Sequence, residues 1–424
     1  MPKKWGFLLL FCFMISFSSS IALGGEWSGT ISGKMSYETT TSRLDWGVSV
    51  DTSYSLDLGE GYYLRGALLL KYQDENKIRP VRLQELYLQG SAVPWKDVDF
   101  RLGLLEITWG ASDVASPVDL LNPRPFSLSM DSESFQEKIP VPALDLEWYF
   151  SNNWSLEIFW QPSFVSHFLP QVVKENMILS PLATAIGFDE EKTAFTLEET
   201  APLVNFLSPI WALRLRGGIG NFDLALSFQE GYYLSSFPYR SEVTLLSDGS
   251  TSVQVFAGYP RRSIVGLELQ GTISGLEGVT VRGDLAFVFP EKWTNQVLVN
   301  GSTVSETPIF AEPYLKASLG IDYTHNNFYA NLNYLLGNPW EEGDNISPYL
   351  YFVTHWTSDD EKWKPFLNSV LSLHDGSMVN IVGVEYKPKS GWSTTLSYSL
   401  SSGAPGSTLG NIADTLFLEV KYSF

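Results

Sequence analysis

The sequence predicts an all-β fold, a transmembrane antiparallel β-barrel of about eighteen strands, and three observations predict it. Apolar and polar residues alternate with period two along much of the chain. Aromatic side chains gather near the ends of the alternating segments. The chain finishes on an alternating tail, Leu416, Leu418, Val420, Tyr422 and Phe424.

The first element is an export leader. Lys3 and Lys4 precede an apolar run from Trp5 to Phe17, and Ser20-Ile21-Ala22 follows with small residues at its first and third positions. This pattern predicts a signal peptide over 1–22, cleaved after Ala22, with 23–424 forming the barrel. The single cysteine, Cys12, falls inside the leader, so the mature chain can build neither a disulfide framework nor a thiolate metal site. The formal net charge of −19 argues against nucleic acid as a partner, because phosphate binding needs a basic footprint. No later run of eighteen apolar residues supplies a membrane-crossing helix.

Alternation then places the strands. In Leu44-Asp45-Trp46-Gly47-Val48-Ser49-Val50-Asp51 the even positions are apolar. The pattern recurs at Trp154, Leu156, Ile158 and Trp160, at Phe222, Leu224, Leu226 and Phe228, and from Val279 to Phe289. A soluble β-sandwich would alternate too, so length decides. Many segments run about ten to thirteen residues, enough for a tilted strand to cross a bilayer, against about five or six in soluble strands. Tyr54, Tyr62, Tyr72, Trp148, Trp154, Trp160, Trp211, Tyr323, Tyr334 and Tyr386 mark two interfacial girdles.

The expected strands are 26–39, 44–58, 61–73, 80–90, 96–109, 141–151, 153–163, 210–219, 221–233, 261–273, 278–290, 311–324, 327–337, 347–357, 363–374, 377–388, 391–402 and 412–424. Sixteen is the alternative count, because 80–90 and the pair around 347–374 alternate more weakly. Connections on one side are short, such as Gly59-Glu60, Gly220 and Lys389-Ser390. On the other side they lengthen, with a candidate constriction loop at 110–140 and long external loops at 164–209 and 234–260, besides 291–310. Short turns on one rim and long loops on the other is the outer-membrane pattern. The 164–209 loop has room for a short helix, and Asp248-Gly249 joins a small hairpin of Glu242–Leu246 and Val253–Ala257.

Register assigns the charges. If Trp211, Leu213 and Leu215 meet lipid, Arg214 and Arg216 point inward, and by the same parity so do Arg65, Asp145, Glu147, Glu268, Arg282 and Asp284. An Arg or Lys on the lipid face at the midplane would cost about 2–4 kcal/mol, which enforces that register. The expected lumen lining is therefore charged.

The third long-side loop opens on Trp109-Gly110-Ala111-Ser112-Asp113 and continues to Asp119-Leu120-Leu121-Asn122-Pro123-Arg124. Its prolines break the alternation. On Trp109, Gly110, Asp113, Asp119, Asn122, Pro123 and Arg124, with the leader and the C-terminus, the chain resembles a family of Gram-negative outer-membrane porin-like barrels that pair Trp-Gly-x-x-Asp with Asp-x-x-Asn-Pro-Arg. The resemblance implies an outer-membrane barrel and leaves the substrate open. Trp109, Asp113, Asp119, Asn122 and Arg124 are the candidate constriction residues. Arg124 either pins the loop through Asp113 or Asp119, or contacts the solute.

Catalysis and metal binding find no motif. Only four histidines exist, with no Gly-x-Ser-x-Gly elbow or HExxH beside them. Asp359-Asp360-Glu361 lacks the spacing of a calcium loop. No cofactor is expected. The sequence thus points to a porin passing small hydrophilic solutes or ions, located in the outer membrane and compatible with a homotrimer. The alternative is a non-conducting structural or adhesive surface barrel that binds a partner through its long loops. The tail ending in Tyr422 and Phe424 is the expected signal for the barrel-assembly machinery, closing against 26–39.

Overall fold

The computed structural model describes residues 25–73, 81–126, 137–169 and 171–424. The expected leader, 1–22, lies outside the described residues, as do 74–80 and part of the candidate constriction loop, 127–136.

Among the described residues, eighteen strands close into one antiparallel barrel. They are β1 (Glu26–Glu38), β2 (Arg43–Gly59), β3 (Tyr62–Gln73), β4 (Val81–Gly90), β5 (Val98–Leu105), β6 (Val141–Ser151), β7 (Trp154–Gln161), β9 (Ile210–Ile219), β10 (Phe222–Tyr232), β13 (Arg261–Thr272), β14 (Val279–Pro290), β17 (Tyr314–His325), β18 (Phe328–Leu336), β19 (Pro348–Trp356), β20 (Trp363–Ser372), β21 (Met378–Tyr386), β22 (Trp392–Ser402) and β23 (Thr415–Ser423). Every strand expected from alternation is present, the weaker 80–90 and 347–374 included, so the count is eighteen and not sixteen. The largest boundary shift is at β5, which stops at Leu105 because the chain turns into the lumen there.

Closure runs through the termini. Ile31 lies opposite Tyr422, Gly33 opposite Val420 and Tyr37 opposite Leu416. Gly29 and Phe424 exchange backbone hydrogen bonds of 3.0 Å in both directions, completing the seam. Closure matters because an open edge would leave a row of backbone groups unpaired in an apolar medium.

The outer surface is apolar, as the alternation requires. On β14, Phe287 and Phe289 are exposed while Ala286 and Val288 are buried; on β17, Leu319, Ile321 and Tyr323 face out. Aromatic pairs band the two ends. Trp27 lies tilted against Tyr54 (4.8 Å), Trp363 against Tyr386 (4.3 Å) and Trp392 against Tyr422 (4.9 Å) toward the short-turn rim. Trp46 meets Tyr72 (5.2 Å) and Trp211 meets Phe228 (5.2 Å) toward the other.

The long connections are more ordered than the sequence suggests. The expected loops 164–209, 234–260 and 291–310 contain a helix, α1 (Gln171–Ile186), and five strands: β8 (Thr193–Thr200), β11 (Phe237–Leu245), β12 (Thr251–Gly258), β15 (Trp293–Val299) and β16 (Ser302–Phe310). The hairpin around Asp248-Gly249 is β11–β12, with Gly249 at φ 80° supplying the turn. These strands form a second sheet in the order β16-β15-β11-β12-β8. Two of its pairings, β11 with β15 and β12 with β8, are parallel. Leu179 of α1 packs with Val243, Val253 and Val255, giving the sheet a small core of its own.

Candidate functional site

After Leu105 the chain leaves the wall and threads into the barrel. Ile107, Trp109, Val118 and Leu121 are buried against inward residues of the wall, among them Val141, Phe159, Ala212, Ile264, Ala286 and Val288. One half of the lumen is thereby filled.

The loop is fastened by its own backbone. A segment without regular structure must find partners for every buried N–H and C=O. Here the wall supplies them. The Asp284 carboxylate accepts from the N–H of Ala111 (2.9 and 3.0 Å) and of Ser112 (2.9 Å). Glu268 accepts from Gly110 N–H at 2.9 Å, and the Gln229 amide donates to the Val118 carbonyl at 2.7 Å. Gly110 has φ 102°, and a Cβ there would lie 2.0 Å from Ser116 Oγ. A second glycine, Gly266 on the wall, admits Val118, whose Cγ1 would stand 2.7 Å from an added Cβ. The motif glycine thus answers to backbone geometry and close packing.

Side chains complete the contact. The Trp109 indole donates to Glu157 at 2.9 Å, and the Arg214 guanidinium lies 5.6 Å from the Trp109 ring centroid. Arg214 sits between Glu157 (3.5 Å) and Glu268 (2.5 Å), all three buried or nearly so. Arg282 joins Asp113 of the loop to Asp322 of the wall, the latter at 2.8 Å. Within the loop, Asn122 accepts from Ile107 N–H (2.7 Å) and donates to the Leu105 and Ile139 carbonyls (2.9 Å each). Asp119 holds both Arg124 and Lys138 at 2.7 Å. Lys138 also donates to the Ile107 carbonyl at 2.6 Å, and burial pulls its pKa down while Asp119 pulls it up. His167, just beyond β7, accepts from Arg124 N–H at 2.8 Å through Nδ1. Burial, reinforced by the cations Arg262 and Arg124, pushes His167 down to about 3.

The candidate constriction residues therefore occupy particular places. Trp109, Asp119, Asn122 and Arg124 are buried between the loop and the wall or inside the loop. Asp113 is more open and is paired with Arg282. The first four are thus packed away from solvent, whereas Asp113 keeps 40% of its side chain exposed. They hold the loop because a proline-broken segment has no ladder of its own to satisfy it. Arg124 takes the Asp119 pairing of the two alternatives.

The expected lumen residues all project inward, as parity requires, but not all meet water. Arg214, Glu268 and Asp284 lie beneath the loop. Arg65 pairs with Glu85 at 3.0 Å, Asp145 with Arg101 at 2.7 Å and Glu147 with Arg216 on the rest of the wall. Lys138, Gln229 and Gly266 carry no motif in the sequence, and His167, which reads there as an incidental rim histidine, is the acceptor of Arg124 N–H. Only the buried position of Gly266 within an inward-facing row carried a local hint.

The other half of the lumen is open. A cavity of about 810 Å³ runs along β1–β4 and β18–β23. Its walls carry Asp45, Lys71 and Glu137 toward the long-loop rim, Lys34, Asp51 and Glu419 at mid-height, and His355, Lys364, Glu385 and Lys421 toward the short-turn rim. Both signs are present and partly paired, with Lys34 at 3.6 Å and Lys421 at 4.0 Å from Glu419, and Lys71 at 3.6 Å from Glu137. Such a lining gives a polar passage with transverse charge and no single dominant sign.

Comparison with known proteins bears on the fold and the family. The model of the family described as "Protein of unknown function (DUF1302)" matches residues 24–288. No curated protein sequence matches the chain. Among solved structures, Pseudomonas aeruginosa OccD3 is 11% identical, with 96% of this chain and 92% of that chain covered and a TM-score of 0.51. OmpT of Vibrio cholerae, an outer membrane protein solved in a trimer form, is 9% identical over 94% of this chain and 99% of its own, with a TM-score of 0.42. A mutant of the Rh. blastica porin gives 9%, 94%, 100% and 0.43. The OccD3 likeness places the chain in the porin fold.

Proposed function

The chain belongs to the DUF1302 family, and we propose that it is an outer-membrane porin through which small hydrophilic solutes or ions diffuse passively. The carrying observation is the charged passage of about 810 Å³ left open beside the fastened loop. The apolar, aromatic-banded exterior suits a bilayer, and lipid is the partner it would meet there. In this reading the leader directs export, the assembly machinery reads the Tyr422–Phe424 tail, and copies associate as a homotrimer. The loop narrows the lumen by filling one side of it, and the lining of the other side sets the preference between ions.

Planar-bilayer conductance of the purified protein tests this. We expect steady ohmic channels whose reversal potential moves toward anions in Glu419→Gln, because that carboxylate stands between Lys34 and Lys421. Neutralising Arg214 or Arg124 should raise conductance and noise instead, since both fasten the loop and neither lines the passage. A well-folded but electrically silent barrel would sink the porin. It would favour a surface barrel that binds a partner through the second sheet, whose ordered strands are the observation behind that reading.

A further inference from the structure

The segment 201–209, between β8 and β9, carries three of the most exposed apolar side chains in the described structure. Leu203, Phe206 and Leu207 have exposures of 90%, 74% and 97%. The sequence Ala-Pro-Leu-Val-Asn-Phe-Leu-Ser-Pro contains no charge. Isolated exposed leucines need no explanation, but a contiguous uncharged cluster at the tip of a turn marks a contact surface.

Its place identifies the contact. The Phe206 ring lies 5.1 Å from that of Trp160. Trp160 belongs to the outward row Trp154, Leu156, Ile158 and Trp160 of β7, while Ser155, Glu157, Phe159 and Gln161 of the other parity are buried. Trp160 is the register partner of Trp211, which in turn meets Phe228. The segment therefore comes down outside the barrel onto the aromatic band of the long-loop rim. Phe206 thus joins the outward face of β7, with the exposed Leu203 and Leu207 beside it in the same turn.

The turn is also closed by its own hydrogen bonds. Asn205 and Ser208 exchange backbone hydrogen bonds of 3.3 and 3.2 Å. The Asn205 side chain accepts from the N–H of Leu207 (2.9 Å) and of Ser208 (3.1 Å). Pro202 and Pro209 bring no N–H. Internal partners lower the cost of bringing a loop tip to lipid, and here Asn205 serves the N–H groups of Leu207 and Ser208 while the Pro202 carbonyl accepts from Val204 N–H at 3.0 Å.

We propose that 201–209 is a membrane-dipping finger that inserts Leu203, Phe206 and Leu207 among the acyl chains of the outer leaflet, anchoring the α1–second-sheet assembly against the bilayer surface. The proposal rests on the reading that the barrel exterior meets lipid. Interfacial aromatic and leucine side chains are the usual means of such anchoring.

Three single-cysteine variants in a Cys12→Ser background separate the outcomes. Leu207→Cys reports the finger, Leu319→Cys the mid-barrel exterior, and Ser247→Cys the exposed turn of β11–β12. Each is labelled with an environment-sensitive fluorophore and reconstituted into phosphatidylcholine vesicles carrying a nitroxide on the acyl chain. The finger predicts a loss of intensity at 207 comparable with that at 319, greatest when the nitroxide sits near the headgroup, and none at 247. Quenching at 319 without quenching at 207 overturns the finger and leaves the lipid-facing barrel standing. Cross-linking between copies through position 207, with no quenching there, overturns it in favour of a subunit contact. Absence of quenching at 319 removes the lipid-facing reading and the finger with it.

Discussion

Asn122 is the most economical fastening in the molecule. Its one amide meets two carbonyls and one N–H from three residues, with the bonds to Leu105 and Ile107 buried and that to Ile139 half-buried. Replacing it with Ala leaves those backbone groups without partners in a site that water does not reach. A buried group left unpaired costs about 1–3 kcal/mol, so Asn122→Ala should weaken the loop by about 3 kcal/mol once partial relaxation is allowed. The barrel wall does not depend on Asn122. We therefore expect the variant to keep its folded, heat-modifiable mobility on gels while protease cuts the loop faster than in the parent protein. Unchanged proteolysis would mean that the contacts to the wall, through Asp284, Glu268, Gln229 and Glu157, hold the loop without Asn122. Arg214 teaches a related lesson from the opposite direction. Its burial beside two carboxylates is tolerable only as a set, because removing one member of a buried ion cluster typically costs about 3–5 kcal/mol.

At the scale of elements, the loop after β5 and the strand ends that receive it behave as one unit, and His167 is the joint between them. Its folded pKa lies below the ordinary 6.5, pushed to about 3 by burial and the nearby cations, so the folded state favours the neutral ring. The stabilisation from His167 is complete above about 6.5 and is lost as the pH falls from there toward 3. Protonation also turns the acceptor of Arg124 N–H into a donor. Channel noise should rise over that pH range, and His167→Asn, which keeps an acceptor but cannot titrate, should flatten the rise. A variant as pH-sensitive as the parent would assign the effect to the carboxylates instead. None of this joint was legible in the sequence, whereas the eighteen strands were. A strand in a barrel wall writes its two environments into every second residue, as Phe287 and Phe289 do against Asp284. Parity could turn Asp284 inward, but no local pattern says that its partners are Ala111 and Ser112, some 170 positions away. Apart from its β11–β12 hairpin, the second sheet is hidden in the sequence for a related reason. β8 and β16 carry Thr, Ser and Glu on exposed faces, and the parallel pairings of β8 with β12 and of β11 with β15 join stretches with no turn between them. Read along the chain, such strands look like loops.

For the whole molecule, the decisive contact is the seam where the last residue meets β1. Phe424 contributes two separable things. Its backbone pairs with Gly29 in both directions, and its ring lies over Gly29, where an added Cβ would stand 2.7 Å from Cζ. The backbone pair closes the barrel and survives any substitution other than proline. The ring faces outward and adds little to closure, being 44% exposed. Phe424→Ala therefore separates folding from delivery. Purified and refolded in detergent, the variant should reach the same barrel, with the same strand content and channel conductance as the parent. Expressed in cells, it should accumulate in the outer membrane at a several-fold lower level if the assembly machinery reads the terminal ring. The two measurements must part company for that account to stand. Equal levels in the membrane would leave the ring with no role in assembly. A variant that also failed to refold in detergent would show that the ring, through its packing on Gly29, belongs to the closure of the barrel itself.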